Sequence, residues 1–472
     1  MRRPAAAAAA AAALLAGCGG SGTGSLPEGS GKTPADAPAF VSLKTDPASA
    51  QWQRALSLAR RFPGLRAQLE RLDRYKDAVG PELDVVWLDF ANNGNDLVGL
   101  TKPRDLAQLK TLVQPDTAAY STLSDGWIVI AANRSLIDRL KRAAEGDKLA
   151  GDKTFKDGFG KLDQGAPVRA WVRGATVQSA LDRALVRGGA APRITHDAGD
   201  LKSVAASARA QGDGATFDAY GLIDPAPNAA TFAPTLQKAV PAGTALYVAS
   251  RSLDRPLRLL LRMVGESKPN FDEQLSRVQS VLGIDLEQDV YPLLAGESAV
   301  AIYPGKRVPP VLFLQRVENE SNADRLLRRI SAIAQLSGQA RTDSVQVAGT
   351  TVQRLHLKTS NVAIYDGVAA GKIFVTNTLP LVRQAVSGPA SPLADEQLFR
   401  QARDSANVPS KVAALAYGDL QHGLPFLFYA ARQSGTAVRP TAVANTKPLR
   451  SALVYLVPDP DGLKLSGSTT IK

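Results

Sequence analysis

The three histidines are the first residues to consider for chemistry, because imidazole serves both metal binding and nucleophilic catalysis. His196, His356 and His422 lie far apart in the sequence, and none falls in an H-E-x-x-H segment or a similar metal-ligand spacing. No G-x-S-x-G turn is present to hold an activated serine. We therefore expect no metal site, no cofactor and no catalytic triad.

Carboxylates are the remaining candidates for acid–base work, since a pair of them can hydrolyse a glycosidic bond. Asp285, Glu287 and Asp289 alternate after a predicted helix, and Glu297 follows a glycine. Residues in such positions more often cap helices or lie on loops. We expect no catalytic residue among them and keep a carboxylate-based hydrolase as an alternative.

Cys18 is the only cysteine of the chain, and the residues before it are typical of an export signal. Arg2 and Arg3 precede the apolar run 5–15, which is shorter than the roughly 20 residues needed to span a bilayer. The following Leu-Ala-Gly-Cys resembles the lipobox of bacterial lipoproteins. That resemblance implies removal of residues 1–17, diacylglycerol on the Cys18 thiol, and a protein held at the extracytoplasmic face of the cell membrane.

Residues 18–37 are rich in glycine, serine and proline and nearly free of apolar side chains. Such a segment buries too little surface to offset its chain entropy. We expect residues 18–37 to form a flexible tether that carries the lipidated cysteine.

Composition and charge limit the classes of partner. The chain is 44% hydrophobic and long enough for a sizeable core, which we expect to be divided between two domains. Its net charge of +12 favours anionic lipid, wall polymer or an acidic envelope protein as a partner, unless the charge only solvates the surface. Nucleic acid is disfavoured by the exported location and by the lack of basic stripes interleaved with aromatic residues.

Sequence matches in the same order indicate an internal duplication. Two of them share an offset of 244 residues, and a third, nearer the N-terminus, has an offset of 207. The matched segments are Leu149-Ala150 with Leu393-Ala394, 168–174 with 412–418, and Pro34-Ala35 with Pro241-Ala242. The sequence therefore predicts a shortened first copy at 38–235 and a second copy at 236–472 that ends in a hairpin.

The predicted elements favour an α+β fold. Strand-like runs occur in hairpin-like pairs, separated by turn residues and by helices with 3.6-residue periodicity. In the second copy, strands are predicted at 245–250, 298–303, 311–317, 344–347, 352–357, 361–365, 372–376 and 412–417. We expect each copy to be a mainly antiparallel sheet packed with helices, in contrast to a doubly wound parallel sheet.

A predicted helix beginning near Asp254 carries a basic stripe. Arg251, Arg255, Arg258 and Arg262 recur at spacings of four, three and four, with leucines repeating that spacing two residues later. Arginine suits bidentate contact with phosphate, so Arg255, Arg258 and Arg262 could hold anionic headgroups or wall phosphate. The alternative is a solvated face above a helix packed on the core.

The aromatic segment 422–429 is a second candidate contact surface. Phe426, Phe428 and Tyr429 follow Pro425 and could line a cavity for an acyl chain. The same residues could form a helix packed on the sheet.

The second copy resembles DUF3352, an uncharacterised family of proteins secreted by high-GC Gram-positive bacteria. The resemblance covers most of residues 240–472 and rests on Pro241-Ala242 with Thr244-Ala245, the segment 282–286 through Gly296-Glu297, and Leu393-Ala394-Asp395 with Phe399. It implies secretion and this architecture but no known catalytic residue. The first copy lacks the segment that corresponds to 285–297.

Three hypotheses for function follow. We expect a surface-anchored envelope lipoprotein that is not an enzyme and has a binding or structural role. The first alternative is a carrier of a lipid or another hydrophobic ligand, which needs a continuous apolar cavity. The second is the carboxylate-based hydrolase, acting in the envelope, which needs two carboxylates in one cleft.

Overall fold

The computed structural model describes residues 26–113, 119–187, 199–268, 270–305, 308–336, 338, 340–358, 362–433 and 435–472. The predicted signal peptide, the lipid attachment residue Cys18 and one of the histidines, His196, lie outside the described residues.

Eight strands and six helices form the first half of the described chain. The strands are β1 (Ala39–Lys44), β2 (Glu82–Trp87), β3 (Leu97–Thr101), β4 (Ala119–Thr122), β5 (Ile128–Ala131), β6 (Val168–Arg173), β7 (Asp200–Gln211) and β8 (Gly214–Asp224). The helices are α1 (Ala50–Ala59), α2 (Arg66–Tyr75), α3 (Leu106–Val113), α4 (Arg134–Ala143), α5 (Lys153–Gly160) and α6 (Gly174–Arg187).

Ten strands and eight helices form the second half of the described chain. The strands are β9 (Leu246–Arg251), β10 (Glu297–Ile302), β11 (Val311–Arg316), β12 (Ala340–Val347), β13 (Thr350–Leu357), β14 (Ala363–Ala369), β15 (Lys372–Thr376), β16 (Ala414–Asp419), β17 (Leu449–Asp459) and β18 (Gly462–Ile471). The helices are α7 (Asp254–Ser267), α8 (Phe271–Leu282), α9 (Tyr291–Leu294), α10 (Glu320–Leu336), α11 (Leu379–Ser387), α12 (Gln397–Ser405), α13 (Leu420–Gln433) and α14 (Pro440–Thr446).

The strands pair in one antiparallel sheet of 18 strands, so the α+β fold with antiparallel pairing is confirmed. In the first half the order is β4-β5-β3-β2-β1-β6-β7-β8. In the second half it is β12-β13-β14-β15-β11-β10-β9-β16-β17-β18. The halves are joined edge to edge by β8 and β18, where Phe217 pairs with Gly467. The two halves therefore share one sheet, because the pairing of β8 with β18 satisfies the edge strand of each half.

Alternation of side chains along the strands gives the sheet one well-buried face, which we call the inner face. In the first half, Phe40 and Val86 on this face pack against α4 and α5. In the second half, Tyr247 and Phe374 pack against α11 and α12. These two clusters form most of the core. Burying each apolar side chain of this size stabilises the fold by roughly 1.5–3 kcal/mol.

The opposite, outer face is covered in places by other helices. Ala210 and Ile471 contact α1, and Ile128 contacts α3. At the far edge of the second half, Ile373 packs against α10. Leu246 and Val248 of β9 lie on the outer face and are 40% and 37% exposed. In the part of the chain that the structure describes, no helix is long and apolar enough to cross a membrane.

Residues 26–37 do not form the predicted tether, and this is a correction. Glu28–Lys32 forms a 3-10 helix in which Gly29 and Ser30 are buried, and the N–H of Gly29 donates to Glu82 Oε1 at 3.2 Å. A side-chain carbon at Gly29 would lie 1.9 Å from Asp84 Oδ2, so any larger residue would displace the buried Asp84 side chain. The small residues that suggested disorder instead allow close packing, and the folded body begins ten residues before the predicted start at 38.

The predicted elements of the second half agree closely with the structure. The hairpin at 344–358 is confirmed as β12 and β13, and the C-terminal hairpin as β17 and β18 with its turn at Asp461-Gly462. The segment 422–429, for which two readings stayed open, belongs to a helix.

Candidate functional site

The predicted basic stripe lies on α7, but two of its arginines have partners within the protein. Arg258 forms an ion pair with Glu287, and its guanidinium lies 3.7 Å from the centre of the Tyr291 ring. Arg255 donates to the carbonyl oxygen of Asn228. Arg255 and Arg258 are therefore held by local contacts, whereas Arg262 is exposed.

The predicted aromatic contact residues lie on α13, which contains Pro425. Phe426 and Phe428 are half-buried, and Tyr429 is exposed. None of these three lines the cavity that we describe below.

The alternating carboxylates have structural roles. Asp285 caps the turn that follows it, where its Oδ1 accepts hydrogen bonds from the N–H groups of Glu287 and Gln288. Glu297 is buried, and its Oε1 accepts from the N–H groups of Thr235 and Leu236 at 2.7 and 2.8 Å. Among the described residues, no group of three or more histidine, cysteine or acidic side chains could hold a metal ion.

An open cavity of about 320 Å³ lies where the end of β16 meets α12 and α13. Seven of its eight lining residues have polar side chains, namely three amides, two carboxylates, a guanidinium and an imidazole. The lining residues are Glu396, Gln397, Leu398, Gln401, Asp419, Gln421, His422 and Arg450. This cavity is our candidate functional site.

Asp419 and His422 form a buried-acid and exposed-base pair in the cavity. Asp419 is the last residue of β16 and is 4% exposed, whereas the side chain of His422 is 65% exposed. Asp419 Oδ1 accepts from the His422 N–H at 3.0 Å, and Asp419 Oδ2 lies 2.7 Å from His422 Nδ1. A carboxylate only accepts, so Nδ1 carries the hydrogen and Nε2 is the ring's second polar atom, available to a ligand.

Arg450 enters the cavity through a break in strand register. The pairing of β17 with β18 shifts between Leu449 and Ser451, so Arg450 is the extra residue of a β-bulge. Bulges commonly redirect a side chain next to a functional site. Arg450 is exposed and has no ion pair within the described ranges.

The N-terminus of α12 forms another wall. No side chain caps this helix, and Gln397 and Leu398 of its first turn line the cavity. The preceding residue, Glu396, is half-buried, and its Oε2 accepts from the N–H of Gly243 at 3.0 Å. Free N–H groups at a helix start favour a negatively charged group nearby.

The hydroxyl of Tyr417 lies buried next to this cavity. Tyr417 is 1% exposed, and its hydroxyl has no hydrogen-bond partner in the described structure. Burial raises the pKa of Tyr417, and the carboxylates of Glu396 and Asp419 raise it further. Tyr417 does not line the cavity, but it lies two residues before Asp419 on the same strand, and its hydroxyl is an unused donor.

The lining can bind but lacks an evident nucleophile. Among the described residues that line the cavity, none is serine, threonine or cysteine. The side chains offer both donors and acceptors, together with charges of both signs. Such a set suits a small polar ligand better than an acyl chain, because burying unpaired polar groups against hydrocarbon is costly.

Comparison with known proteins places the chain in a family. The family model "Protein of unknown function (DUF3352)" matches residues 70–452. The chain belongs to the DUF3352 family. No curated protein matches the sequence.

Solved structures resemble this DUF3352 chain only in part. Crystal form III of TP0453 matches at 10% identity and a TM-score of 0.27, over 42% of this chain and 80% of that one. Crystal form I matches at 8% identity and a TM-score of 0.28, over 45% and 90%. At these scores the likeness carries no argument about function.

Sequence reasoning reached the DUF3352 motif beside the cavity but not the cavity itself. The motif residues Leu393 and Phe399 flank Glu396, whose role depends on contacts that sequence does not reveal. His422 was noticed only as one of three histidines. The spacing of Asp419 and His422, three residues apart directly after a predicted strand, was the available signal. No sequence pattern predicts the β-bulge at Arg450.

Proposed function

We propose that this DUF3352 protein is a lipoprotein of a high-GC Gram-positive bacterium, anchored through Cys18 at the extracytoplasmic face of the cell membrane. In this proposal it acts as a binding protein and not as an enzyme. Its ligand is a small polar component of the envelope, held in the cavity beside Asp419 and His422. The anchor proposal rests on the sequence of the first 18 residues.

The observation that carries the binding proposal is the polar lining of the cavity. Three glutamine amides, two carboxylates, one guanidinium and one imidazole converge on about 320 Å³, a volume within the range of small-molecule sites. Fragments of wall glycan or wall peptide offer matching donors and acceptors. Both oxygens of Asp419 are used by His422, and Glu396 holds Gly243, which favours binding over a carboxylate-pair hydrolase.

A lipid carrier is the second candidate, and the outer face of the sheet favours it. Leu246, Val248 and Leu465 are each at least 36% exposed. Exposed apolar side chains on a sheet can mark a site for a hydrophobic ligand. A lipid that co-purifies with the protein, and whose binding is unaffected by changes in the polar cavity, would support this candidate.

We further propose that the two halves are related copies, because the same contacts recur in both. In each half, backbone hydrogen bonds join the N-terminal segment to the residues just before an inner-face helix. A glutamate on the second strand of each half also accepts a hydrogen bond from a backbone N–H of that segment. The matched contacts are Leu149 N to Thr33 O and Leu393 N to Val240 O, Ala35 N to Asp147 O and Ala242 N to Ser391 O, and Gly29 N to Glu82 and Leu236 N to Glu297.

Native mass spectrometry tests the binding proposal. The chain carrying Cys18→Ser would be secreted by its own host, purified, and titrated with soluble fragments released from that host's cell wall. We expect a bound fragment whose signal falls with Glu396→Gln and with His422→Asn. The matched control is Asp152→Asn in the first half, which should leave binding unchanged. Equal binding by all variants would contradict the proposal.

The anchor is tested separately with an alkyne-labelled fatty acid. We expect the wild-type protein to incorporate the label and to sediment with membranes, and Cys18→Ser to lose both properties. Label retained by Cys18→Ser would contradict the proposed attachment.

A further inference from the structure

We propose that the cavity recognises a zwitterion, a ligand with a free carboxylate held by Arg450 and a free ammonium group held by Glu396. This inference rests on the proposed binding function and names the chemical class of the ligand. Amino acids and the ends of short peptides have this chemistry.

The balance of charge in the lining is the first support. Glu396 and Asp419 are acidic and Arg450 is basic, so the lining has one net negative charge when His422 is neutral and none when it is protonated. A dianionic phosphate would meet both carboxylates and be repelled. A ligand with one charge of each sign can pair with the lining at both ends.

The state of Arg450 is the second support. A guanidinium normally gains from a bidentate carboxylate, and Arg450 has none in the described part of the chain. The register break in β17 places its side chain in the cavity. The corresponding break in β7 lies at Lys202, which has two carboxylate partners at 3.6 Å, Asp200 and Asp224.

The start of α12 is the third support. In the first half, Asp152 caps α5 by accepting from the N–H of Phe155 at 2.9 Å. Glu396, at the same distance before Phe399, makes no such cap, so the first N–H groups of α12 are free of side-chain partners. A ligand carboxylate near Gln397 and Leu398 would occupy the place that Asp152 fills for α5.

The ammonium end has its own partners. Glu396 is half-buried and has one oxygen, Oε1, beyond the Oε2 that holds Gly243. The three glutamine amides would accept and donate to the peptide group between the two charged ends.

Isothermal titration calorimetry with a blocked-ligand series tests the inference. The protein is the chain carrying Cys18→Ser, and the probes are alanine, alanyl-alanine, N-acetyl-alanyl-alanine and alanyl-alanine amide. Alanine and alanyl-alanine separate the same two charges by different lengths and so distinguish a free amino acid from a peptide end. We expect one of them to bind, and each block on the peptide to weaken binding by at least about tenfold.

Variants assign each end of the ligand. Arg450→Met should weaken the zwitterion and leave the amide unaffected, whereas Glu396→Gln should weaken the zwitterion and leave the N-acetyl form unaffected. Lys202→Met is the matched control because it removes the bulge cation of the other half, and it should bind like the unchanged chain. Thermal unfolding of each variant confirms that it is folded.

The outcomes separate this inference from the proposed function. If a neutral wall sugar binds in a manner that depends on Glu396 while no zwitterion does, the inference is overturned and the proposed binding function stands. If neither sugar nor zwitterion responds to changes at Glu396 and Arg450, both are overturned.

Discussion

The two halves of the molecule place different charges on similar frameworks. In the first half, Asp152 lies three residues before Phe155, caps α5, and forms an ion pair with Arg173 at 3.3 Å. In the second half, Glu396 lies three residues before Phe399 and lines the same cavity as Asp419, a second acid. In this comparison Asp419 takes the place of Arg173. Within the described residues, Glu396 therefore has no arginine partner of the kind that Asp152 has, and the cavity beside it is open. The difference is the basis of the proposal that the second half, and not the first, binds a ligand.

The inner-face aromatic clusters give the largest expected effect, because they are the feature that the halves share. Phe155 contacts Phe40 and Trp171 edge-on at 5.6 and 5.5 Å, and both Phe155 and Phe399 are fully buried. Phe155→Ala and Phe399→Ala should each lower the free energy of unfolding by about 3–5 kcal/mol. Denaturant unfolding measures the free energy of unfolding of both variants. A loss of stability in only one of them would contradict the claim that the two halves share this cluster.

Each half also buries one carboxylate with a raised pKa, which makes stability depend on pH. Burial and the nearby Asp324 raise the pKa of Asp366 to about 7. Below about pH 4, Asp366 is protonated in both the folded and the unfolded state. As pH rises toward 7, only the unfolded state loses the proton, so the wild type should lose up to about 4 kcal/mol relative to Asp366→Asn.

Asp84 of the first half should behave with the same sign. Burial and Glu82 raise its pKa well above the usual range. Relative to Asp84→Asn, the wild type should again lose stability as pH rises above about 4. Unfolding free energies from pH 4 to 8 measure both pairs, and a difference that stays flat with pH would contradict the buried, protonated state.

Removing Arg173 or Arg450 should change the free energy of unfolding by less than the aromatic substitutions do, and by different amounts in the two halves. Arg173→Met leaves Asp152 without its partner, and the free energy of unfolding should fall by about 1–2 kcal/mol. Arg450→Met removes an exposed side chain with no ion pair among the described residues, and the change should stay within about 0.5 kcal/mol. Similar losses for both would mean that Arg450 is structural and not kept for a ligand.

Local pattern was enough to predict most elements of the second half. The strand at 372–376 has the bounds that its alternation pattern predicts. This signal is local, so no knowledge of distant contacts is needed. The joining of the halves through β8 and β18 is a non-local pairing and leaves no such signal.

The repeat matches show what sequence alone misaligns. The segment 168–174 was matched with 412–418, which sets Trp171 against Leu415. In the structure Trp171 contacts Phe155 and Tyr417 contacts Phe399, at 5.5 and 5.0 Å. Under the proposed duplication, Trp171 therefore corresponds to Tyr417, two residues further on. A slip of two residues keeps every side chain on its own face of the sheet, so the hydrophobic pattern does not detect it.

The candidate site was missed for a related reason. A cavity forms where side chains lack partners, and the partner of a side chain can be distant in sequence. Arg173 and its ion-pair partner Asp152, for example, lie 21 residues apart. The predicted tether was wrong because composition does not distinguish a disordered glycine from one packed against Asp84.

Nuclear magnetic resonance of histidine-labelled protein tests the difference between the halves most directly. The chain has only three histidines, so its imidazole spectrum is simple, and His422→Asn assigns the signal of the cavity. On addition of whichever of alanine and alanyl-alanine binds in the calorimetry, we expect the His422 signal to shift in a saturable way while those of His196 and His356 stay in place. An unchanged His422 signal at saturating ligand, or equal shifts of all three, would contradict a binding site confined to the second half.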